Sequence, residues 1–432
     1  MTTNGEGNRP SSRDGSDVNT RLDPSREEWM NAAETRAVMN ALVANGGNAR
    51  FVGGAVRNAL LGRDVDDVDI ATPLLPDEVV RRLEFSRIRA VPTGIVHGTV
   101  TAIVNRRALE ITTLRRDVET DGRHAVVAFS GDWAEDAARR DFTINALYAA
   151  EDGEVFDYTG GLADLAARRI RFIGDPVARI REDYLRILRL FRFHAWYGQG
   201  AMDEPALRAA AAERAGMRSL SGERVQKEML RLLAAAYPSP AIRMMAKTGV
   251  LEEIISGTAR IDRLERLAAI DAEQKFAADS VLRLCSLTPA DPAIASRIAT
   301  RLKFSNENRD RMIDLSGTNE NFEPGMPQSV LRRLLYRLGT QRVRDRILLR
   351  WSEDPDTSHH AGWRELFEAA HIWTVPRFPL TGGDVLATGV AEGRQVGAML
   401  SKLEADWIES DFSEDRQALL DRLMKMAQFS SG

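Results

Sequence analysis

The sequence predicts an α+β protein: a mixed sheet-and-helix head followed by a long all-helical remainder. Three observations carry that prediction. Residues 51–72 read as strand, tight turn, helix and strand. Residues 99–113 hold two alternating runs about a turn. From Leu162 onward, helical periodicity dominates to the end. At 432 residues the chain exceeds one ordinary domain. The expected division is a disordered tail 1–24, a head 25–172, a helical neck 173–262, and a helical body and tail 263–432.

Composition bounds the class of protein. Hydrophobic content of 44% with 28% charged residues suits a globular chain with a sizeable core. The single cysteine, Cys285, excludes an intrachain disulfide and a cysteine-based zinc site, so a reducing cytoplasm is the expected compartment. Neither a signal peptide nor a membrane-spanning apolar run is evident. A net charge of −4 argues against a surface that coats nucleic acid throughout, yet 59 Lys and Arg leave room for a local basic groove.

The chain is organised around FVGGAVRNALLGRDVDDVDIAT, 51–72. Gly53 and Gly54 make a turn that opens a short helix, where outward N–H groups and the helix dipole favour phosphate. Arg57 can add a charge-assisted contact, and Gly62 stands where a C-cap glycine belongs. In the strand that follows, alternation turns Asp67 and Asp69 one way and Val68 and Ile70 the other, towards a core. Two adjacent carboxylates repel unless a cation sits between them. A hard divalent ion such as Mg2+ suits their oxygens.

Around this stretch, a helix is expected over 26–44 and another over 76–83. Strands are expected at 99–104 and 108–113, following His97-Gly98, with Asn105-Arg106-Arg107 as their turn. Glu110, opposite in face to Leu109 and Ile111, is a third candidate carboxylate. RRDVETDGRH, 115–124, lacks apolar periodicity and reads as a mobile loop. Sheet character resumes over 125–129. Residues 136–150 mix helix and strand signals, and 154–158 suggest a last strand. Helices are then expected over 183–196, 204–215, 221–236, 240–248, 260–270, 277–285, 293–302, 328–336 and 343–351.

Two further segments carry chemistry. In RRDFTINAL, 139–147, Arg139 and Arg140 can neutralise a polyphosphate and Asp141 can orient one of them. Asn145, both donor and acceptor, suits a ribose hydroxyl. In EDYLRILRLFRFHAW, 182–196, roughly 100° per residue puts Arg186, Arg189 and Arg192 within an arc of about 120°. A helix this apolar buries much of itself, so those arginines need anionic partners. An i,i+3 pair between Asp183 and Arg186 is the plain choice.

Together these stretches resemble the nucleotidyltransferase superfamily, in the branch of tRNA CCA-adding enzymes and bacterial poly(A) polymerases. The match is strong over about 50–232 and looser beyond. The resemblance implies a nucleotidyltransferase head, with a helical neck for base recognition and a body and tail for tRNA. It implies that Asp67 and Asp69 hold two magnesium ions, with Glu110 completing the site, and that Arg140 binds the nucleotide. Asp183-x-x-Arg186 would select the base: Asp183 accepts from the amino group of C or A, and Arg186 donates to the ring nitrogen. U and G reverse that pattern. Arg189 and Arg192 would bind the triphosphate or shape the pocket.

The implied partners are tRNA, CTP and ATP. Residues 115–124 resemble the lever with which such enzymes switch from C to A. Residues 221–232 and the segment from Leu380 resemble further family elements. The family usually has Asp where Asn58 stands. The six histidines show no His-Asp metal cluster, so no phosphohydrolase domain is expected. The rival readings are a poly(A) polymerase, which would be more basic than this chain with its isoelectric point of about 6.0, a partial enzyme adding only CC or only A, and an inactive RNA-binding protein.

Overall fold

The computed structural model describes residues 21–95, 98–121, 124–317 and 320–430. The chain divides into two compact units, Met1–Gly216 and Met217–Gly432; the boundary falls inside the stretch expected as a neck. In the first unit the strands are β1 (Arg50–Val52), β2 (Asp69–Thr72), β3 (Arg89–Gly94), β4 (Thr99–Val104), β5 (Arg107–Thr113), β6 (Arg115–Asp121), β7 (His124–Phe129), β8 (Leu147–Ala149) and β9 (Val155–Asp157). Seven of them form one sheet in the order β3-β4-β5-β2-β1-β8-β9. Its pairs are antiparallel except β2 with β5, which run parallel.

The helices of this unit are α1 (Glu28–Asn31), α2 (Ala33–Val43), α3 (Gly54–Leu60), α4 (Pro76–Phe85), α5 (Trp133–Ala138), α6 (Gly161–Ala166), α7 (Pro176–Glu182), α8 (Leu185–Tyr197) and α9 (Glu204–Glu213). β1 lies inside the sheet, between β2 and β8, and its Phe51 is wholly buried with Trp29 edge-on at 4.8 Å. Burying a ring of that size stabilises the unit by about 2–3 kcal/mol. Val68 and Ile70 are buried while Asp67 and Asp69 face out, as alternation along β2 requires. α4 begins with Pro76, carries Asp77 and Glu78 in its first turn and Arg82 in its last, an arrangement matched to the helix dipole.

Several expectations are corrected. Residues 1–20 of the expected tail, and His97, lie outside the described residues. Residues 21–24 are ordered: Leu22 is buried and its N–H donates to the Gly153 carbonyl at 2.8 Å, while Arg21 pairs with Asp152. The helix expected over 26–44 is broken at Ala32 (φ −53°, ψ 134°) into α1 and α2. The loop expected over 115–124 is largely strand, since β6 and β7 form an antiparallel two-stranded ribbon. A two-stranded ribbon needs no buried face, so charged residues can occupy it without leaving an apolar period. The mixed signals over 136–150 resolve into the end of α5, a 3₁₀ turn Thr143–Asn145 and β8. β3 was not foreseen.

The second unit is helical among its described residues. It comprises α10 (Gly222–Leu233), α11 (Ser239–Lys247), α12 (Ile261–Gln274), α13 (Ser280–Leu287), α14 (Pro292–Arg301), α15 (Asn306–Ser316), α16 (Gln328–Leu338), α17 (Thr340–Trp351), α18 (His360–Ile372), α19 (Gly382–Leu386), α20 (Arg394–Glu409) and α21 (Arg416–Ser430). The expected helices are present; α15, with only Met312 and Leu315 buried, and α18 to α21 were not individually foreseen. The C-terminal segments close on their own core, where Trp407 meets Tyr336, Phe378 and Phe412. No helix among the described residues is long and apolar enough to cross a membrane.

Candidate active site

The parallel pairing of β2 with β5 sets Asp69 directly opposite Glu110, and Asp67 lies two residues before Asp69. All three side chains are exposed on the sheet's outer side. Partial loss of water and then Glu110 push the Asp69 carboxyl above its ordinary range; Arg140 pulls it down and Asp67 pushes it up again. Burial and the neighbouring carboxylates thus together oppose the Asp69 charge. Among the described residues no three His, Cys, Asp or Glu side chains are close enough to share an ion. The donor set is two aspartates with Glu110 beside them. That suits a divalent cation that draws its remaining ligands from substrate phosphates and water.

The diglycine turn borders this carboxylate edge, because Val52 pairs with Asp69. Gly53 has φ 71° and ψ −119°, a conformation that side chains resist. Its N–H donates to the Leu147 carbonyl at 3.1 Å, so it does not face outward as expected. Instead a guanidinium approaches: a Cβ at Gly53 would stand 3.8 Å from Arg140 Nη1, and one at Gly54 would stand 3.8 Å from Arg57 Nη2. Arg140 is held by Asp136, whose Oδ2 accepts from its Nε at 3.2 Å and Nη2 at 3.0 Å. Burial alone would weaken the Arg140 charge, but the Tyr148 oxygen and the Asp136 carboxylate outweigh it and raise its pKa.

Asp141 orients neither Arg139 nor Arg140. Its Oδ2 accepts from Arg189 Nε at 2.8 Å, while Oδ1 accepts from the Phe142 N–H and from Asn145 Nδ2. Asn145 is buried and uses both ends of its amide, donating to Asp141 and accepting from Arg57 Nη1. Arg57 is buried as well; its Nη2 donates to Tyr197 Oη at 2.8 Å and to Asn58 Oδ1 at 2.9 Å, and its guanidinium lies 4.0 Å from the Tyr197 ring centroid. Arg57 and Asn145 thus stand behind the turn and connect it to α8. Arg192 and Arg189 lie over Phe193, at 4.2 Å and 5.2 Å.

The helix expected over 183–196 is present as α8 and begins two residues later, after a break that separates it from α7. Asp183 is extended (φ −157°, ψ 106°), ending α7, and its Oδ1 accepts the Leu185 N–H at 3.1 Å as α8 begins. An aspartate that caps the second helix replaces continuous helical bonding at this point. Arg186 bonds Glu182 and the Arg179 carbonyl, both through Nη1. Its carboxylate partner in this structure is therefore Glu182, i,i+4, rather than the expected i,i+3 pair with Asp183. Arg179 in turn donates to the Ala138 and Ile173 carbonyls, which ties α7 to the end of α5.

Sequence reasoning passed over Asp136, Tyr148 and Tyr197. Asp136 was legible: it precedes Arg139 and Arg140 by three and four residues, the spacing of neighbours on one helix face. Tyr148 and Tyr197 carry no such signal, since their hydroxyls matter only once β8 and α8 are packed.

The fold and this constellation define a nucleotidyltransferase head joined to helices. Comparison with known families bears that out. Residues 49–171 match the Poly A polymerase head domain, and 201–261 match the probable RNA and SrmB-binding site of polymerase A. CCA tRNA nucleotidyltransferase 1, mitochondrial, of Mus musculus is 34% identical over 87% of this chain and 86% of its own length. The CCA-adding enzyme of Levilactobacillus brevis is 32% identical over 89% and 96%. Among solved structures, the Bacillus stearothermophilus CCA-adding enzyme in complex with CTP is similar with a TM-score of 0.73 and 27% identity, covering 92% of this chain and 98% of that one. The chain belongs to the tRNA nucleotidyltransferase family of CCA-adding enzymes. That family works with a divalent metal ion.

Proposed function

We propose that this chain adds C, C and A to the 3′ end of tRNA from CTP and ATP, with magnesium as the ion and no nucleic-acid template. The observation that carries the reading is the convergence of three elements in one unit: the β2–β5 carboxylates, the Gly53 turn with Arg140, and the Asp183 bend. Residues 25–172 act as the head, 173–262 as the neck, and 263–432 as body and tail that grip tRNA through shape and backbone. We place the reaction in the cytoplasm.

The tRNA 3′-hydroxyl attacks the nucleotide α-phosphate and pyrophosphate leaves. Asp67 and Asp69 would hold the metal, with Glu110 beside them; when bound, it activates the attacking hydroxyl and offsets charge on the leaving oxygens. Arg140 fixes the triphosphate against the Gly53-Gly54 turn, and Arg189 and Arg192 border the same pocket. Asn145 and Arg57 keep the turn and α8 in register, so that the base meets the Asp183 bend. There Asp183 accepts from the amino group of C or A, while the guanidinium corner of Arg186 away from Nη1 donates to the ring nitrogen. Most of the acceleration comes from positioning and charge stabilisation.

Purified chain supplied with CTP, ATP and tRNA lacking its 3′ CCA should extend the tRNA, and EDTA should abolish the extension until Mg2+ is restored. Asp67→Ala and Asp69→Ala should each lower incorporation by about a thousandfold or more with unchanged circular dichroism. Near-normal turnover in either variant would rule out this metal site.

A further inference from the structure

The buried acid that holds Arg140 has further partners. Asp136 is 1% exposed and serves three side chains and one backbone amide. Its Oδ1 accepts from Arg139 Nε at 2.9 Å and Nη2 at 2.6 Å, and from the Arg115 N–H at 3.4 Å. Its Oδ2 accepts from Arg140 and from Tyr148 Oη at 2.7 Å. Arg139 also donates to the Arg115 carbonyl at 3.0 Å. Arg115 is the first residue of the β6–β7 ribbon, and it follows Leu114, whose N–H donates to Thr72 at the end of β2.

Two arginines share this one buried carboxylate, and only one of them turns towards the site. Arg140 Nη1 reaches past Asp136 to the Gly53 turn, near enough to Asp69 to pull that carboxyl down, while Arg139 turns to the Arg115 backbone. We propose that Asp136 is the positioning residue of this site: it aims Arg140 at the nucleotide triphosphate and, through Arg139 and Arg115, couples that aim to the root of the β6–β7 ribbon. This rests on the reading of Arg140 as a triphosphate ligand. A shift at the root of the ribbon then reaches the nucleotide through one carboxylate.

The test is steady-state kinetics on the full chain with tRNA lacking CCA, varying CTP and ATP separately. Asp136→Asn keeps the side chain's shape and should raise KM for both nucleotides about tenfold, the scale of a lost hydrogen bond to a charged group, with kcat changed far less. Arg140→Lys should raise KM as well, and adding Asp136→Asn to it should bring little further loss. Additive losses would mean that Asp136 acts elsewhere in the fold and would overturn the proposal. If Arg140→Lys leaves KM unchanged, the triphosphate reading itself fails and the proposal falls with it. Amide hydrogen exchange at Arg115 and Arg116 should quicken in Asp136→Asn; unaltered exchange would remove the coupling to the ribbon. Should that variant melt before assay, Tyr148→Phe replaces it. That change removes a neutral donor from the same oxygen and an acceptor from Arg140 Nε at 3.2 Å, and should raise KM about threefold; no rise would count against the proposal.

Discussion

Asn58 accepts a hydrogen bond from Arg57 and donates one to the Asp64 carbonyl at 3.0 Å. An aspartate there, as the family usually has, could accept from Arg57 but could not donate to that carbonyl. The amide therefore gives up charge against Arg57 and gains a tie to the loop that leads into Asp67. Arg186 offers a sharper test at this scale. Removing its guanidinium takes away the donor that opposes the N–H of U and G. Arg186→Ala should raise incorporation of UTP or GTP relative to CTP by about tenfold or more, measured by competition on one tRNA. Unaltered selectivity would move base choice away from the Asp183 bend. The placement of Asp67, Asp69 and Glu110 was readable residue by residue, because strand alternation sets which way each one faces. Asp136 was readable by helix spacing and was missed. Arg57 and Asn145 were read as ligand contacts; their partners, Tyr197 and Asp141, come together only in the folded unit.

At the scale of elements, the Asp141–Arg189 pair fastens α8 to the segment carrying Arg140. Burial pushes the Asp141 carboxyl up, but Arg189, with the Asn145 and Phe142 hydrogen bonds, holds it below its ordinary range. In the unfolded chain the proton leaves near pH 4. The stabilisation is thus complete above that value and is lost as pH falls through the lower folded pKa. Asp141→Asn should cost the first unit about 2 kcal/mol at neutral pH, and the gap from the parent should narrow steadily below about pH 4. Urea unfolding at several pH values checks this, and a gap that stays constant with pH would contradict it. A second element-level test concerns Gly153, where φ is 87° and a Cβ would stand 2.1 Å from the Leu22 carbonyl oxygen. Gly153→Ala should lower stability by about 1–3 kcal/mol and loosen residues 21–24; an unchanged melting temperature would mean that this contact is dispensable. The β6–β7 ribbon and the break at Ala32 share one cause: each is set by the backbone, through strand pairing or a residue outside helical φ/ψ, and not by any change in apolar period.

For the whole molecule, the α+β head and helical remainder were legible because period-two and helical patterning occupy separate parts of the chain. The boundary of the compact units at Gly216 was not, since helical composition runs unbroken across it. The head alone does not distinguish CCA addition from poly(A) tailing, because the roles proposed for the carboxylates, the turn and Arg140 would serve any nucleotidyl transfer to a 3′ end. What separates the two is whether growth stops. The most direct measurement is therefore the length and sequence of product formed on tRNA lacking its 3′ CCA, with CTP and ATP both in excess. Two cytidines and one adenosine, then arrest, is the result predicted here. A lengthening adenosine tail would contradict it.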